Sequence, residues 1–141
     1  MIKVCLDTNV FVSGIISPSG APYDVLEAWR NREFVLLTSD DIITEVSKVL
    51  NYPKIKSAFS LTDEEIEQYI SLISQYSQRT PGELKIDIIT EDPSDNMFLV
   101  CAVEGKADFI ISGDNHLLEV GTYQGIQILT PREFIKQLQL K

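Results

Sequence analysis

The chain has 141 residues, of which 44% are hydrophobic and 23% charged, and its mean hydropathy is +0.02. This size and balance are typical of one ordinary globular domain, spanning residues 1–141, and no apolar run is long enough for a membrane span. The net charge of −9 argues against a protein that binds nucleic acid non-specifically through a basic patch.

Strands and helices alternate along the N-terminal half of the sequence. Apolar runs predict a buried strand over residues 2–6 and a helix over residues 10–16. Pro22 is suited to the first position of a second helix. Another apolar strand is predicted over residues 34–38, and Ser39 is a suitable N-cap for the helix that follows.

The same alternation continues in the C-terminal half. Thr62 opens a capping box and a long helix, and Asp92 is a plausible N-cap for a later helix that is apolar on every side over residues 97–103. The remaining strands are predicted over residues 85–89, 109–112 and 126–129. Short, continuously apolar strands that alternate with helices predict a parallel sheet with helices on both faces.

Acidic residues follow two of the predicted strands directly. Asp7 and Asp114 should therefore lie at the same edge of the sheet, and they face each other if the chain reverses its winding after the first strands. Asp95 falls in the first turn of the apolar helix, and Glu45 lies at the border of its helix's apolar stripe. Each acid also has a purely structural explanation: Asp7 and Asp92 as helix caps, Asp95 as a partner of the helix dipole, and Glu45 as a solvated residue.

Four carboxylates in one place are suited to a hard divalent cation. Mg²⁺ and Mn²⁺ take oxygen ligands, and two such ions can activate a water and hold the leaving oxygen during attack on a phosphodiester. Without a cation, the four acids would repel one another strongly. A concentration of acids in one metal site also weakens the objection that the net charge raises against a nuclease.

At this point the sequence resembles the PIN-domain nucleases. The resemblance covers nearly the whole chain and rests on four segments: Leu6-Asp7-Thr8-Asn9-Val10, Glu45 in the third helix, Asp92-Pro93-Ser94-Asp95-Asn96, and Ser112-Gly113-Asp114. Each segment alone is weak evidence, whereas together they are fairly specific.

The resemblance implies a three-layer α/β/α fold with a five-stranded parallel sheet in the order 3-2-1-4-5. It also implies that Asp7, Glu45, Asp95 and Asp114 bind Mg²⁺ or Mn²⁺ and catalyse cleavage of single-stranded RNA. Small one-domain members are commonly toxins of toxin–antitoxin pairs, so a cognate antitoxin is a candidate partner, together with a second copy of the chain. Asp92 is an additional acid that the minimal family pattern lacks.

Several polar residues near these motifs are candidates for supporting roles. Thr8 and Ser112 are hydroxyls beside acids that would bind metal, and Asn9 either orients Asp7 or caps a helix. Lys54 and Lys56 form the best basic pair for a phosphate backbone. The only histidine, His116, is a candidate RNA contact, but two-metal hydrolysis does not need a histidine.

Two other functions remain open from the sequence. The first is a PIN-like scaffold that binds RNA or protein without cutting. Loss of one of the four acids would favour this function, but all four are present. The second is an Asp-dependent phosphatase, but that class needs a second Asp two residues after the first, where this chain has Asn9. A receiver domain is disfavoured because its phosphorylated Asp ends the third strand, where this chain has no match.

The two cysteines, Cys5 and Cys101, each lie within an apolar run. We expect buried thiols in a reducing cytoplasm rather than a disulfide, and two distant cysteines do not indicate a zinc site. The N-terminus has no small-residue cleavage site, so we predict no signal peptide and a cytoplasmic protein.

Overall fold

The computed structural model describes residues 1–140, and strands and helices alternate through them. The strands are β1 (Lys3–Leu6), β2 (Val35–Ser39), β3 (Gln78–Thr80), β4 (Phe109–Ile111), β5 (Thr122–Tyr123) and β6 (Ile126–Leu129). The helices are α1 (Thr8–Ile16), α2 (Ala21–Arg30), α3 (Asp40–Leu50), α4 (Pro53–Ala58), α5 (Asp63–Gln75), α6 (Asn96–Gly105), α7 (Asn115–Val120) and α8 (Pro131–Gln139). A single turn of 3-10 helix, Pro93–Asp95, precedes α6.

The strands form one sheet in the order β3-β2-β1-β4-β6-β5. All neighbours pair in parallel except β5 and β6, which are antiparallel. The predicted three-layer α/β fold is confirmed. The five parallel strands are arranged as β3-β2-β1-β4-β6, which is the expected order 3-2-1-4-5 when the parallel strands alone are numbered along the chain. The expected strand count was wrong by one, because the two-residue strand β5 adds an antiparallel edge.

The third strand does not lie where the sequence predicted it. Residues 85–89 contain no strand, and β3 consists instead of Gln78–Thr80, which pairs with the edge of β2. The backbone N–H groups of Ile88 and Ile89 donate to the side chain of Asn96, both at 3.0 Å, rather than to a neighbouring strand. These two backbone donors are therefore satisfied by a helix side chain and not by strand pairing.

Helix capping follows the sequence at most positions. Ser39 accepts a hydrogen bond from the N–H of Ile42, and Thr62 and Thr130 each form a complete capping box. Asp92 occupies the predicted N-cap position, but of the 3-10 turn before α6, and its carboxylate accepts a hydrogen bond from the Ser94 hydroxyl at 2.6 Å instead of capping the backbone. The short helix α4 was not predicted. None of the helices within residues 1–140 combines the length and apolar character that crossing a bilayer requires.

Helix α6 lies at the centre of the core, as its uniformly apolar sequence predicted. It contacts β1, β2, β3 and β4, and most of its side chains are buried. Both cysteines are buried, as expected, and the Cys5 thiol lies 3.8 Å from the carbonyl oxygen of Phe98 in α6. Because α6 begins directly after Asp95, its burial fixes the position of that acid relative to β1 and β4.

Candidate metal centre

Asp7 ends β1 and caps α1 at the same time. One carboxylate oxygen, Oδ1, accepts the N–H of Val10 at 2.9 Å, and the other, Oδ2, accepts a hydrogen bond from the Ser112 hydroxyl. The residue is only 3% exposed. Burial raises the pKa of the Asp7 carboxyl even though the Ser112 and Val10 hydrogen bonds act against the rise. The capping role and a place at the sheet edge are therefore compatible.

Asp114 lies beside Asp7 because β1 and β4 are neighbours. Leu6 pairs with Ile111, and the N–H of Asp7 donates to the carbonyl of Ile111 at 3.0 Å. The N–H of Asp114 donates to the Ser112 hydroxyl oxygen at 2.9 Å. The expected meeting of the two acids at the point where the sheet reverses its winding is thus present in the structure.

Asp95 approaches the same edge from the 3-10 turn that precedes α6. It is 7% exposed, and its Oδ2 has no hydrogen-bond partner among the residues that the structure describes. Desolvation, followed by the negative charges of Asp114 and Asp92, raises the pKa of Asp95 to about 7. The negative charge of Asp7 contributes further to this rise in the pKa of Asp95.

The tightest group of metal-binding side chains consists of Asp95, Asp114 and His116. One ligand atom from each of the three lies within 4.8 Å of the other two. Ligands about 2.1 Å from a common octahedral ion are roughly 3 to 4.2 Å apart, so only small side-chain movements are needed to reach one ion.

This tight group contains two of the predicted acids, Asp95 and Asp114, whereas Asp7, Glu45 and Asp92 lie outside it. Glu45 is half-buried on α3, and Asp92 is half-buried before the 3-10 turn. Asp92 still acts on the group through its charge, since it raises the pKa of Asp95.

The predicted supporting residues occupy different environments. Ser112 is fully buried between Asp7 and Asp114, whereas Asn9 is exposed on α1. Thr8 is 4% exposed, and within residues 1–140 its hydroxyl has no hydrogen-bond partner.

The two lysines of the predicted basic pair differ in their contacts. Lys56 forms an ion pair with Asp63 at the start of α5, whereas Lys54 is exposed on α4. Of the two, Lys54 is therefore the better candidate for a phosphate contact.

Asn96 is a structural residue of the site to which the sequence analysis assigned no role. Its Oδ1 accepts from the N–H groups of Ile88 and Ile89, and its Nδ2 donates to the carbonyls of Ile89 and Pro93, both at 2.9 Å. The three bonds to Ile88 and Ile89 hold the irregular segment, residues 81–92, against the start of α6, and the fourth holds the 3-10 turn. A polar residue at the first position of an otherwise apolar helix was the available signal.

Glu104 holds the other end of the irregular segment. Its carboxylate accepts the N–H groups of Gly82, Glu83 and Leu84 at 2.7, 2.8 and 3.1 Å. Desolvation raises the pKa of Glu104, but these three donors outweigh it and hold the pKa below its usual value. The two ends of α6 thus fix the segment that leads to Asp92 and Asp95.

The residues present fit a divalent cation. The donor set is mainly carboxylate, one buried carboxylate oxygen lacks a partner within the described chain, and the repulsion that raises the pKa of Asp95 is what a bound cation would relieve. Chemically, such a centre can bind a phosphodiester and position a water for in-line attack.

Comparisons with known proteins agree with this arrangement. A family model described as "PIN domain" matches residues 3–116, which include Asp7, Glu45, Asp95 and Asp114. The uncharacterized protein MJ1680 of Methanocaldococcus jannaschii is 30% identical over 146 residues, an alignment that covers 98% of this chain and 92% of that protein.

A solved structure shares the fold. A chain of VapBC2 from Rickettsia felis, crystallised bound to a DNA fragment from its promoter, superposes with a TM-score of 0.58. The match covers 90% of this chain and 97% of that chain at 12% identity, so it speaks for the fold alone. With the family match extending over most of the sequence and the acids converging at the reversal point of the sheet, the chain belongs to the PIN domain family.

Proposed function

We propose that this protein is a Mg²⁺- or Mn²⁺-dependent endoribonuclease that cleaves single-stranded RNA. The observation that carries the proposal is the convergence of Asp7, Asp95 and Asp114, with a buried oxygen of Asp95 that has no partner in residues 1–140. Membership of the PIN domain family supports a hydrolase that acts on phosphodiester bonds.

In the proposed mechanism the acids hold the cation in a fixed position. Asp7 cannot rotate freely because each of its oxygens already accepts a hydrogen bond. Asp114 is held through its N–H, and its Oδ1 accepts the N–H of His116 at 2.7 Å. A bound divalent ion supplies an activated water as nucleophile and stabilises the charge on the departing oxygen. Asp92 adds negative charge close to Asp95, and we propose Glu45 on α3 as a further ligand of the cation.

The phosphatase alternative is less compatible with this geometry. That class needs a second acid two residues after the nucleophilic Asp. Here Asn9 occupies this position with an exposed side chain. The scaffold alternative is less compatible as well, because the acids that a non-catalytic relative could lose are all present.

We further propose that the protein is the toxin of a toxin–antitoxin pair and is silenced by a cognate antitoxin. The support is the resemblance of the sequence to small toxins of this family and the fold shared with the VapBC2 chain. Expression in a bacterial host should arrest growth, and Asp7→Asn should abolish the arrest. Growth arrest that persists in the Asp7→Asn variant at equal protein level would contradict this assignment.

The enzymatic proposal is tested with a purified protein and a labelled single-stranded RNA. Cleavage should stop in EDTA and return with Mn²⁺ or Mg²⁺. Asp7→Asn and Asp114→Asn should each reduce the rate at least about 100-fold, because removing a ligand should cost more than the 10- to 100-fold typical of its outer partners. The exposed-acid variant Asp24→Asn is the matched control and should cleave normally.

A further inference from the structure

His116 places an imidazole nitrogen in the acidic cluster. The residue follows Asp114 by two positions, and the N–H of His116 donates to the Asp114 carboxylate that caps α7. This capping bond keeps the start of the His116 side chain next to the acid. The Nδ1 atom lies 3.6 Å from Oδ1 of Asp114.

That contact does not satisfy the imidazole. A separation of 3.6 Å is longer than a hydrogen bond, and buried Nδ1 has no hydrogen-bond partner among residues 1–140. Within the same cluster, Oδ2 of Asp95 is also buried and also lacks a partner in the described part of the chain. The two residues that carry these unpartnered atoms lie on different elements, α7 and the 3-10 turn, and belong to the same small group.

We propose that Nδ1 of His116 is a ligand of the divalent ion, together with the carboxylates of Asp95 and Asp114, and that this nitrogen makes the site prefer Mn²⁺ to Mg²⁺. The inference rests on the metal site of the proposed function and adds to it a ligand outside the four acids. The geometric basis of this proposal is that one ligand atom from each of the three residues lies within 4.8 Å of the other two.

The preference follows from ligand chemistry. Mg²⁺ takes oxygen ligands almost exclusively and keeps much of its water, whereas imidazole is a good ligand for first-row transition ions. A site of two carboxylates and one imidazole therefore favours Mn²⁺ over Mg²⁺. A site with oxygen ligands alone favours Mn²⁺ less. Replacing His116 should weaken Mn²⁺ binding much more than Mg²⁺ binding.

The first test measures metal binding without RNA, at one fixed pH. Wild type, His116→Ala and the control Asn115→Ala are freed of metal and titrated with MnCl₂ or MgCl₂, with the shift in Tm as readout. Asn115 is exposed on the same helix, so it reports any general effect on α7. His116→Ala should weaken the Kd for Mn²⁺ by at least about tenfold and change the Kd for Mg²⁺ less, while Asn115→Ala matches wild type.

The second test detects the bond itself. Pulsed electron paramagnetic resonance of the Mn²⁺-loaded wild type should show coupling to a directly bound nitrogen, and His116→Gln should lose it. A wild type without nitrogen coupling, or a His116→Ala variant that binds Mn²⁺ as tightly as wild type, overturns the inference. Weakened RNA binding with unchanged Mn²⁺ binding in His116→Ala also overturns it and makes His116 a substrate contact.

These outcomes separate the inference from the proposed function. A protein that binds Mn²⁺ through His116 but does not cleave RNA supports the ligand and contradicts the nuclease. A protein that cleaves RNA in a metal-dependent way while His116→Ala leaves the Mn²⁺ affinity unchanged contradicts only the ligand.

Discussion

The hydroxyl of Ser112 donates a hydrogen bond to the carboxylate of Asp7 across the boundary between β4 and β1. The same oxygen accepts the N–H of Asp114 at 2.9 Å, and Ser112 itself is fully buried. One hydroxyl therefore fixes the relative position of the two acids that follow neighbouring strands. Such partners behind a candidate ligand set its orientation and its basicity.

Replacing Ser112 should damage both stability and metal binding. Ser112→Ala removes a donor to Asp7 and leaves the N–H of Asp114 without its acceptor, which should lower the free energy of unfolding by about 1–3 kcal/mol. We expect a smaller Tm shift with Mn²⁺ and RNA cleavage reduced about 10- to 100-fold. Urea unfolding, Mn²⁺ titration and cleavage rates measure these effects.

The control for this prediction is Ser71→Ala, a serine that is exposed on α5. It should unfold and cleave as wild type does. A Ser112→Ala variant with wild-type Mn²⁺ affinity would show that the hydroxyl is not needed to position Asp7.

Asn96 should be a main determinant of the order of the irregular segment, residues 81–92. Asn96→Ala removes four hydrogen bonds and leaves the buried N–H of Ile89 unsatisfied, so the free energy of unfolding should fall by at least about 2 kcal/mol. Hydrogen exchange should accelerate at the amides of Ile88 and Ile89. The control variant Asn115→Ala, which removes an exposed side chain, should leave the backbone amides of Ile88 and Ile89 protected. A decrease in the free energy of unfolding of less than about 0.5 kcal/mol in Asn96→Ala would contradict the assigned role.

We predict that Glu104 makes a contribution to the free energy of unfolding that is lost in acid. Its folded-state pKa is held below the usual value of 4.5, so the unfolded state binds the proton more readily. The contribution is therefore fully present above about pH 4.5 and is lost as the pH falls through the folded-state pKa. Wild type should be more stable than Glu104→Gln at pH 7, and the difference should shrink as the pH is lowered below 4.5.

Urea unfolding of both proteins between pH 7 and pH 3.5 tests this directly. Glu67→Gln, which removes an exposed acid from α5, controls for the change in net charge. A difference between wild type and Glu104→Gln that grows on acidification has the wrong sign for this account.

The main features of the fold were predictable because they depend on local patterns. Alternating apolar strands and helices specify a parallel sheet, and acids within three residues of the ends of β1 and β4 share one edge of it. The third strand was misplaced because residues 85–89 have a strand-like composition, but the N–H groups of Ile88 and Ile89 donate to the side chain of Asn96 and not to a neighbouring strand. The true strand β3 is a short, mostly exposed edge strand, so its sequence carries little apolar signal.

The site was predictable in part for a similar reason. The positions of Asp7 and Asp114 follow from strand ends, whereas the roles of Asn96 and Glu104 depend on a segment whose conformation the sequence pattern misrepresents. The proximity of His116 to Asp95 depends on two elements that are distant in sequence. The proximity of His116 to Asp114 was indicated by the Asp-x-His spacing, because an acid that caps a helix accepts the N–H of the residue two positions later.

The central claim is that a water held in an acidic metal centre cleaves the RNA, and the chemistry of the product ends tests it most directly. A single-stranded RNA and its 2′-O-methylated counterpart are incubated with Mn²⁺ and either wild type or Asp7→Asn. Attack by water with departure of the 3′ oxygen leaves a 5′-phosphate and does not use the 2′-hydroxyl. We predict 5′-phosphate ends, cleavage of the methylated RNA, and loss of both reactions in Asp7→Asn. Cyclic 2′,3′-phosphate ends, produced only from the unmethylated RNA and equally by Asp7→Asn, would contradict the account.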